Sequence, residues 1–340
     1  IFRGKQKLFI DSLIAKGFID SGFTVLNLQS SLADANMKGN FQYTDVGNIF
    51  KDIVAKYADN KTPTSSASNT TIEFKADVKP NPIYAILLPG LFFSKNIYAK
   101  GLLKTKNNDS TFYINTIVPD LSYQSNAVSN LIINVNGIND SLKFNITADT
   151  ARASSILLNK TSIVGGFSDK NINADVVTKD ESGKDKYALG ITGTRTGDKS
   201  SITVKDKLKL NYADWTVSNK NKIEFGTEGF NISQLEITNK SQRVYVNSTS
   251  PAMNAPMDIA IEKFQLSTIT SVLNKDSLLI GGVLNVSMKV DDLKNKIPTL
   301  DGTVKVDSLS YNTLPVGTID VKATAINGNV NMSGGLTGYG

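Results

Sequence analysis

The residue types of this chain rule out most enzyme chemistry. Its 340 residues include no Cys and no His. That removes thiol nucleophiles, imidazole bases, disulfides and the common zinc arrangements together. The 31 acidic residues fall largely at turns, and no spacing brings two carboxylates together as the acid and base of a glycosidase. The run Lys179-Asp-Glu-Ser-Gly-Lys-Asp185 has the look of a calcium loop, but no Glu follows at the bidentate offset, so a hairpin tip is expected. Gly193-Thr-Arg-Thr-Gly197 lacks the strand-loop-helix setting of a phosphate loop and reads as a turn. No catalytic role, metal or cofactor is expected. What these side chains can do is bury apolar surface.

The stretch that shows this best is 202–246. Apolar residues fall at every second position: Ile202, Val204, Leu208, Leu210, Tyr212, Trp215, Val217, Ile223, Phe225, Phe230, Ile232, Leu235, Ile237, Val244 and Val246. Such alternation marks half-buried strands. The breaks are turn formers, at 218–221, 226–229 and 239–241. No helix follows each strand, so parallel crossovers are not expected.

Composition sets the surroundings. Hydrophobic residues make up 40% and charged residues 20%, a folding composition rather than a disordered one. The 37 basic residues give a net charge of +6, but they are scattered singly and are mostly Lys on outward strand positions, a device against edge pairing. Nucleic acid is not an expected partner, since there is no basic run and no interleaving of aromatics with Arg. No stretch reaches the ~18 apolar residues of a membrane span. The chain opens on Ile inside a pattern, and reads as an internal fragment whose signals or anchors lie outside it.

In order, residues 1–60 read as strands plus an amphipathic helix. Phe18, Phe23, Val25, Leu26 and Leu28 belong to strands, and 32–43 to a strand pair. Val46, Ile49, Phe50, Ile53, Val54 and Tyr57 form one helical stripe with Asp45 as N-cap. Residues 61–71 are a flexible loop. A continuous β-meander is expected over 72–261, interrupted by a short helix at 81–89. There Asn81 caps, Pro82 sits at N1 and Pro89-Gly90 ends the helix. Being apolar all round, it reads as a buried plug, with a lipid-facing element as the other reading. Strands are expected at 97–105, 111–118, 130–138, 142–149, 155–160, 162–166, 170–178, 186–194 and 200–211. Residues 262–340 hold a third helix at 262–274, carried by Phe264, Leu266, Ile269, Val272 and Leu273, then further strands. The fold class is mostly β: a long curved, largely antiparallel sheet with an apolar interior and two or three short amphipathic helices. Such a sheet can stay open as a trough or fold into a dry sandwich, and the alternation does not choose between them.

Three stretches carry a resemblance to a known family. They are Trp215-Thr-Val-Ser-Asn-Lys-Asn-Lys-Ile-Glu-Phe225, Phe230-Asn-Ile-Ser-Gln-Leu235, and Gln242-Arg-Val-Tyr-Val246 with Ser248 after it. The order Trp, Asn-x-Ile-x-Phe, a strand with Leu and a Gln-led strand resembles the TamB family, the inner-membrane component of the translocation and assembly module in the AsmA-like superfamily. Leu28 to Phe41, Gly281 to Val286, Pro298 to Val306 and Gly317 to Val321 are similar to the same family, in the style of its Bacteroidota members. The resemblance implies a periplasmic β-trough (a β-taco), anchored in the inner membrane by a segment outside this chain. The trough would carry phospholipid towards the outer membrane with an Omp85-family barrel, TamA-like, as partner. The groove lining would then be Leu142, Phe144, Ile146, Leu189, Ile191, Leu208, Leu210, Trp215, Val217, Ile223, Phe225, Ile232, Leu235, Ile237, Val244 and Val246. The alternative is a scaffold that assists outer-membrane protein assembly by strand-edge pairing, without conducting lipid. Asp-Ser or Asp-Thr followed by an apolar residue or Thr is similar to an O-glycosylation sequon of Bacteroidota envelope proteins, at Ser12, Ser110, Ser141, Thr150, Ser277 and Ser308. The same dipeptides are ordinary turn chemistry.

Overall fold

A computed structural model describes residues 2–3, 6–7, 12–42, 44, 47–48, 51, 69–106, 109–154, 156–270, 280–295, 297–312, 314–326 and 328–338. The chain is mostly β and antiparallel, and the helical segments among the described residues are short. The alternation predicts this architecture, and the backbone ladder realises it. No helix among the described residues is long and apolar enough to cross a membrane. Two compact units divide the chain. One comprises Ile1–Ser154 with Asn159–Asp169, the other Ser155–Leu158 with Lys170–Gly340.

The first unit begins with a two-stranded pair, β1 (Phe2–Arg3) and β2 (Gln6–Lys7). Its main sheet starts with β3 (Leu13–Asp20), β4 (Phe23–Ser30), β5 (Ala33–Gly39) and β6 (Thr71–Val78). Helix α1 (Ile83–Leu87) and β7 (Leu91–Phe92) follow, then β8 (Ile97–Lys106), β9 (Asp109–Tyr123), β10 (Asn126–Ile138), β11 (Ser141–Ala153) and β12 (Ile156–Ser168). Neighbours pair in sequence order from β3 to β6, β6 pairs with β8, and the order resumes through β11. The short β7 pairs with the far end of β9.

The expected strand pair over 32–43 is instead the single strand β5 (Ala33–Gly39). The turn falls earlier, where Ser30 Oγ accepts the N–H groups of Leu32 and Ala33. In place of the expected strands 155–160 and 162–166 stands the one strand β12 (Ile156–Ser168), within which Lys160 takes a left-handed φ of 41°. In α1, Asn81 Oδ1 accepts the Ile83 N–H at 3.0 Å, and Gly90 leaves the segment with φ 90°. The helix is not a buried plug. Ile83 is buried, while Leu87 and Leu88 are 55% and 54% exposed. Gly47, Asn48 and Lys51 are helical, while the stripe residues Val46, Ile49, Phe50, Ile53, Val54 and Tyr57 lie outside the described residues.

The second unit contains β13 (Asn171–Lys179), β14 (Asp185–Thr196), β15 (Lys199–Val204), β16 (Leu208–Leu210), β17 (Ala213–Val217), β18 (Lys222–Gly226) and β19 (Gly229–Ser233). It continues with β20 (Leu235–Asn239), β21 (Gln242–Ser248), β22 (Met257–Gln265), α2 (Ser267–Thr270), β23 (Ile280–Asp291), β24 (Thr299–Tyr311), β25 (Leu314–Ile326) and β26 (Asn329–Thr337). The sheet forks at β14. Residues 191–196 pair with β15, while Ala188 pairs with Lys209 of β16. One branch runs β15-β18-β19. The other runs β16-β17-β20-β21 and on in order to β26.

The expected strand 200–211 therefore breaks into two, and Lys205 N–H turns to Gly190 O at 2.9 Å. The notch is held by Asn221, which is 3% exposed. Its Oδ1 accepts the Val204 N–H, and its Nδ2 donates to the carbonyls of Val204 and Ser218. The expected helix 262–274 is strand as far as Gln265, because Phe264 pairs with Leu284 in the ladder after a bulge. Ser267–Thr270 is helical, and Val272 and Leu273 lie outside the described residues. Tyr212, counted in the alternation, stands instead in the turn before β17 with φ 68°.

Two predictions follow from the turns. Asn221→Ala leaves the N–H and C=O of Val204 without partners in a part-buried site, and should cost about 1–2 kcal/mol in urea unfolding. At the hairpin tip, Asp180 is held at a pKa of about 2 by hydrogen bonds from Ser182, the Lys184 N–H and Tyr212. The folded value lies below the unfolded one, so the tip is stabilised above the ordinary Asp value and loses that support as pH falls towards 2. Amide exchange at Gly183 and Lys184 should quicken over that interval, and Asp180→Asn should abolish the pH dependence.

Candidate apolar binding face

Side chains directly opposite one another in an antiparallel ladder share a side of the sheet. In the second unit this rule can be followed strand by strand. Leu208 stands opposite Trp215, and Val217 opposite Ile237. Leu235 and Ile237 face Val246 and Val244, which face Ile259 and Ile261. Those continue to Met288 and Val286, and Val286 to Val304 and Val321. On the other branch Leu189 pairs with Val176, and Ile191 with Ala174 and Val204. Ile202 pairs with Ile223, Ile223 with Ile232, and Phe225 with Phe230. The pair Ala188–Lys209 fixes the relation of the branches. It puts Lys209 and Ala188 on one side, and so Leu189 on the side of Leu208 and Leu210. The thirteen candidate lining residues of this unit, from Leu189 to Val246, thus lie on one face.

In the first unit Leu142, Phe144 and Ile146 pair with Gly137, Val135 and Ile133. Gly137 and Val135 lead to Phe112 and Ile114, and these to Leu103 and Gly101. Leu103 and Gly101 face Ile72 and Phe74, and Phe74 leads through Met37 to Leu26. Glycine does not interrupt the apolar surface. A Cβ on Gly101 would lie 2.4 Å from the Phe74 ring, and one on Gly137 would lie 2.0 Å from the Phe112 ring. Each ring lies across the bare backbone beside it and covers it.

Burial divides this face into two kinds of surface. Phe41, Ile72, Leu103 and Phe112 form a closed cluster in the first unit. Leu208, Trp215, Val217 and Phe264 form one in the second, with the Trp215 and Phe264 rings 5.7 Å apart. Trp215 is only 2% exposed, so these residues are core and not an open lining. The rest differ: Leu189 and Phe225 are 43% and 42% exposed, and the others are half-buried. A dry core shuts its side chains away from solvent; Leu142 packs against the first cluster and Leu210, Leu235, Ile237 and Val244 against the second, each still half-buried.

The reverse side is polar. In the second unit Arg243 binds Glu236 and Glu262 at 2.5 and 2.9 Å and lies 4.6 Å over the Tyr245 ring. Hydrogen bonding to Glu236, opposed by some desolvation, raises the guanidinium pKa. Lys209 pairs with Asp214, and Lys305 with Asp307. Exposed pairs of this kind contribute about 0–1 kcal/mol each. Their effect is to keep this side wet.

The alternation in the sequence also runs through Met257, Ile259 and Ile261, which extend the face beyond the residues singled out for it. The candidate glycosylation residues are scattered. Ser12 is exposed before β3. Ser141 Oγ lies 3.2 Å from Ser168 Oγ, and Thr150 Oγ1 lies 2.7 Å from Ser129 Oγ. Ser110 is in β9 and Ser308 in β24, and Ser277 lies outside the described residues.

Gly137→Ala drives a methyl into the Phe112 ring and should lower stability by about 1–3 kcal/mol. Phe112→Leu in the same background should recover part of that loss, which a double-mutant cycle in urea would measure. In comparisons with family models, curated proteins and solved structures, no match to this chain is found.

Proposed function

We propose that the chain is a stretch of a lipid-conducting β-trough whose apolar face takes up acyl chains, without catalysis. The observation that carries this reading is the continuous register of apolar side chains, left half-buried over most of each unit. An acyl chain laid on such a face gains about 0.8 kcal/mol for each CH₂ it buries. The opposite side of the same strands is polar and ion-paired, which directs lipid to one side. The periplasmic setting, the inner-membrane anchor outside this chain and the Omp85-family barrel partner rest on the resemblance to the TamB family alone.

A second reading is favoured by β3 and β26, which are exposed along their whole length. Such strands suit a scaffold that pairs with unfolded barrel strands.

Native mass spectrometry of the protein purified in mild detergent tests both. Co-purifying phospholipid is expected for the wild type. Ile223→Glu or Phe225→Glu should remove most of it, because a charge on this face is costly to bury, while the circular dichroism of the strands stays unchanged. Lipid-free protein that binds β-strand peptides would sink the conduit and support the scaffold.

A further inference from the structure

The polar face of the first unit carries a cleft of about 450 Å³ across β5, β6, β8 and β9, within the roughly 300–1,000 Å³ of small-molecule sites. Two register rows build it. In one, Asn36 faces Lys75, Lys75 faces Lys100 and Lys100 faces Asn115. In the other, Asp34 faces Asp77, Asp77 faces Tyr98 and Tyr98 faces Ile117. All eight side chains lie on the side opposite the apolar face. The backbone of Ala35, Ala76 and Ala99 forms the floor.

All but one of the charges in this cleft are left over by the fold. Lys75 and Lys100 stand directly opposite each other, an arrangement that costs stability between like charges, and neither has an ion-pair partner among the described residues. Among the described residues Asp77 makes no ion pair, and its Oδ1 is buried without a hydrogen-bond donor, an unmet demand that costs about 1–3 kcal/mol. Asp34, by contrast, is satisfied by Lys79 at 2.8 Å. Asn36 and Asn115 each donate outward, to Asn27 and Asn134, at 2.6 and 2.8 Å. Those bonds hold the two amides in place and leave their carbonyl oxygens as acceptors. Tyr98 stands 46% exposed among these groups, next to Ile117 at 39%.

We propose that this cleft binds a neutral saccharide. Sugar hydroxyls both donate and accept. One can donate to the other oxygen of the Asp77 carboxylate and to the free Asn oxygens, while others accept from Lys75 and Lys100. The apolar C–H face of a pyranose can lie on the Tyr98 ring and Ile117. A simple anion fits less well: it would answer the two lysines but place its charge beside the Asp77 carboxylate, and it has no use for the ring. The site is independent of lipid uptake, because it lies on the other side of the sheet.

The test is ligand-observed NMR and titration calorimetry on the full chain, with neutral glucosyl, galactosyl, mannosyl and N-acetylglucosaminyl tetrasaccharides and with inorganic phosphate. At least one tetrasaccharide should bind, with amide shifts at Tyr98 and Lys100 in the wild-type protein. Tyr98→Ala and Asp77→Ala should each weaken it roughly tenfold, equivalent to about 1.4 kcal/mol, while Tyr98→Phe keeps the ring and the affinity. Tyr98 is exposed enough for its replacement to leave the strand content intact, which circular dichroism checks. Three results would overturn the proposal: no tetrasaccharide binding, binding that Tyr98→Ala and Asp77→Ala leave unchanged, or phosphate binding that outcompetes every sugar and is lost only in Lys75→Gln/Lys100→Gln.

Discussion

The constraint on which everything else rests is cross-strand register. A strand shows its side chains alternately to two sides, so a slip of one residue would exchange the faces wholesale. In this chain an apolar residue meets an apolar residue at one ladder position after another, as in Ile237 with Val244 and Val244 with Ile261. The reverse side matches too, with Glu236 opposite Tyr245 and Arg243 opposite Glu262. Each correct pairing makes its neighbour's register cheaper to keep, and a wrong one would bury Arg243 and Glu262 in grease. Burying such charges is far costlier than any single hydrogen bond returns.

Register alone would give a featureless ribbon, and the irregularities are where the molecule acquires sites. Asn221 fills the notch where β14 exchanges one partner for another, and lets the sheet divide without orphaning Val204. The bulge between Ile261 and Phe264 swings Phe264 onto Trp215, closing the core beneath an otherwise half-open face. Phe74 and Phe112 roof the glycines beside them. These devices explain why part of the apolar face is packed core and part is free to meet a ligand.

The two sides of the sheet offer different chemistry to different molecules. The apolar side is broad and repetitive, suited to a ligand recognised by length and grease rather than by pattern. The polar side of the first unit carries a bounded cleft with an unmet carboxylate oxygen, two ammonium groups unpaired among the described residues and an exposed ring. A face built mainly for solubility would pair such charges, as the second unit does around Arg243.

The sequence by itself determined the class of fold and the composition of the apolar face. Period-two alternation is a local property, so Ile223 with Phe225, or Val244 with Val246, could be assigned to one side of their own strand from spacing alone. Local pattern also misled where a bulge or turn altered the phase. Tyr212 fits the alternation but sits in a left-handed turn, and 262–265 has helical spacing yet is held as strand by Leu284 and Arg243. Only the tertiary structure decided which positions are shut and which are open, since Trp215 and Phe225 have the same spacing and opposite exposure. Only it brought Lys75 opposite Lys100 and Asp77 opposite Tyr98. Those residues are separated in the chain by a helix and a short strand, and what joins them is the pairing of β6 with β8, a long-range hydrogen-bond ladder that no local spacing encodes.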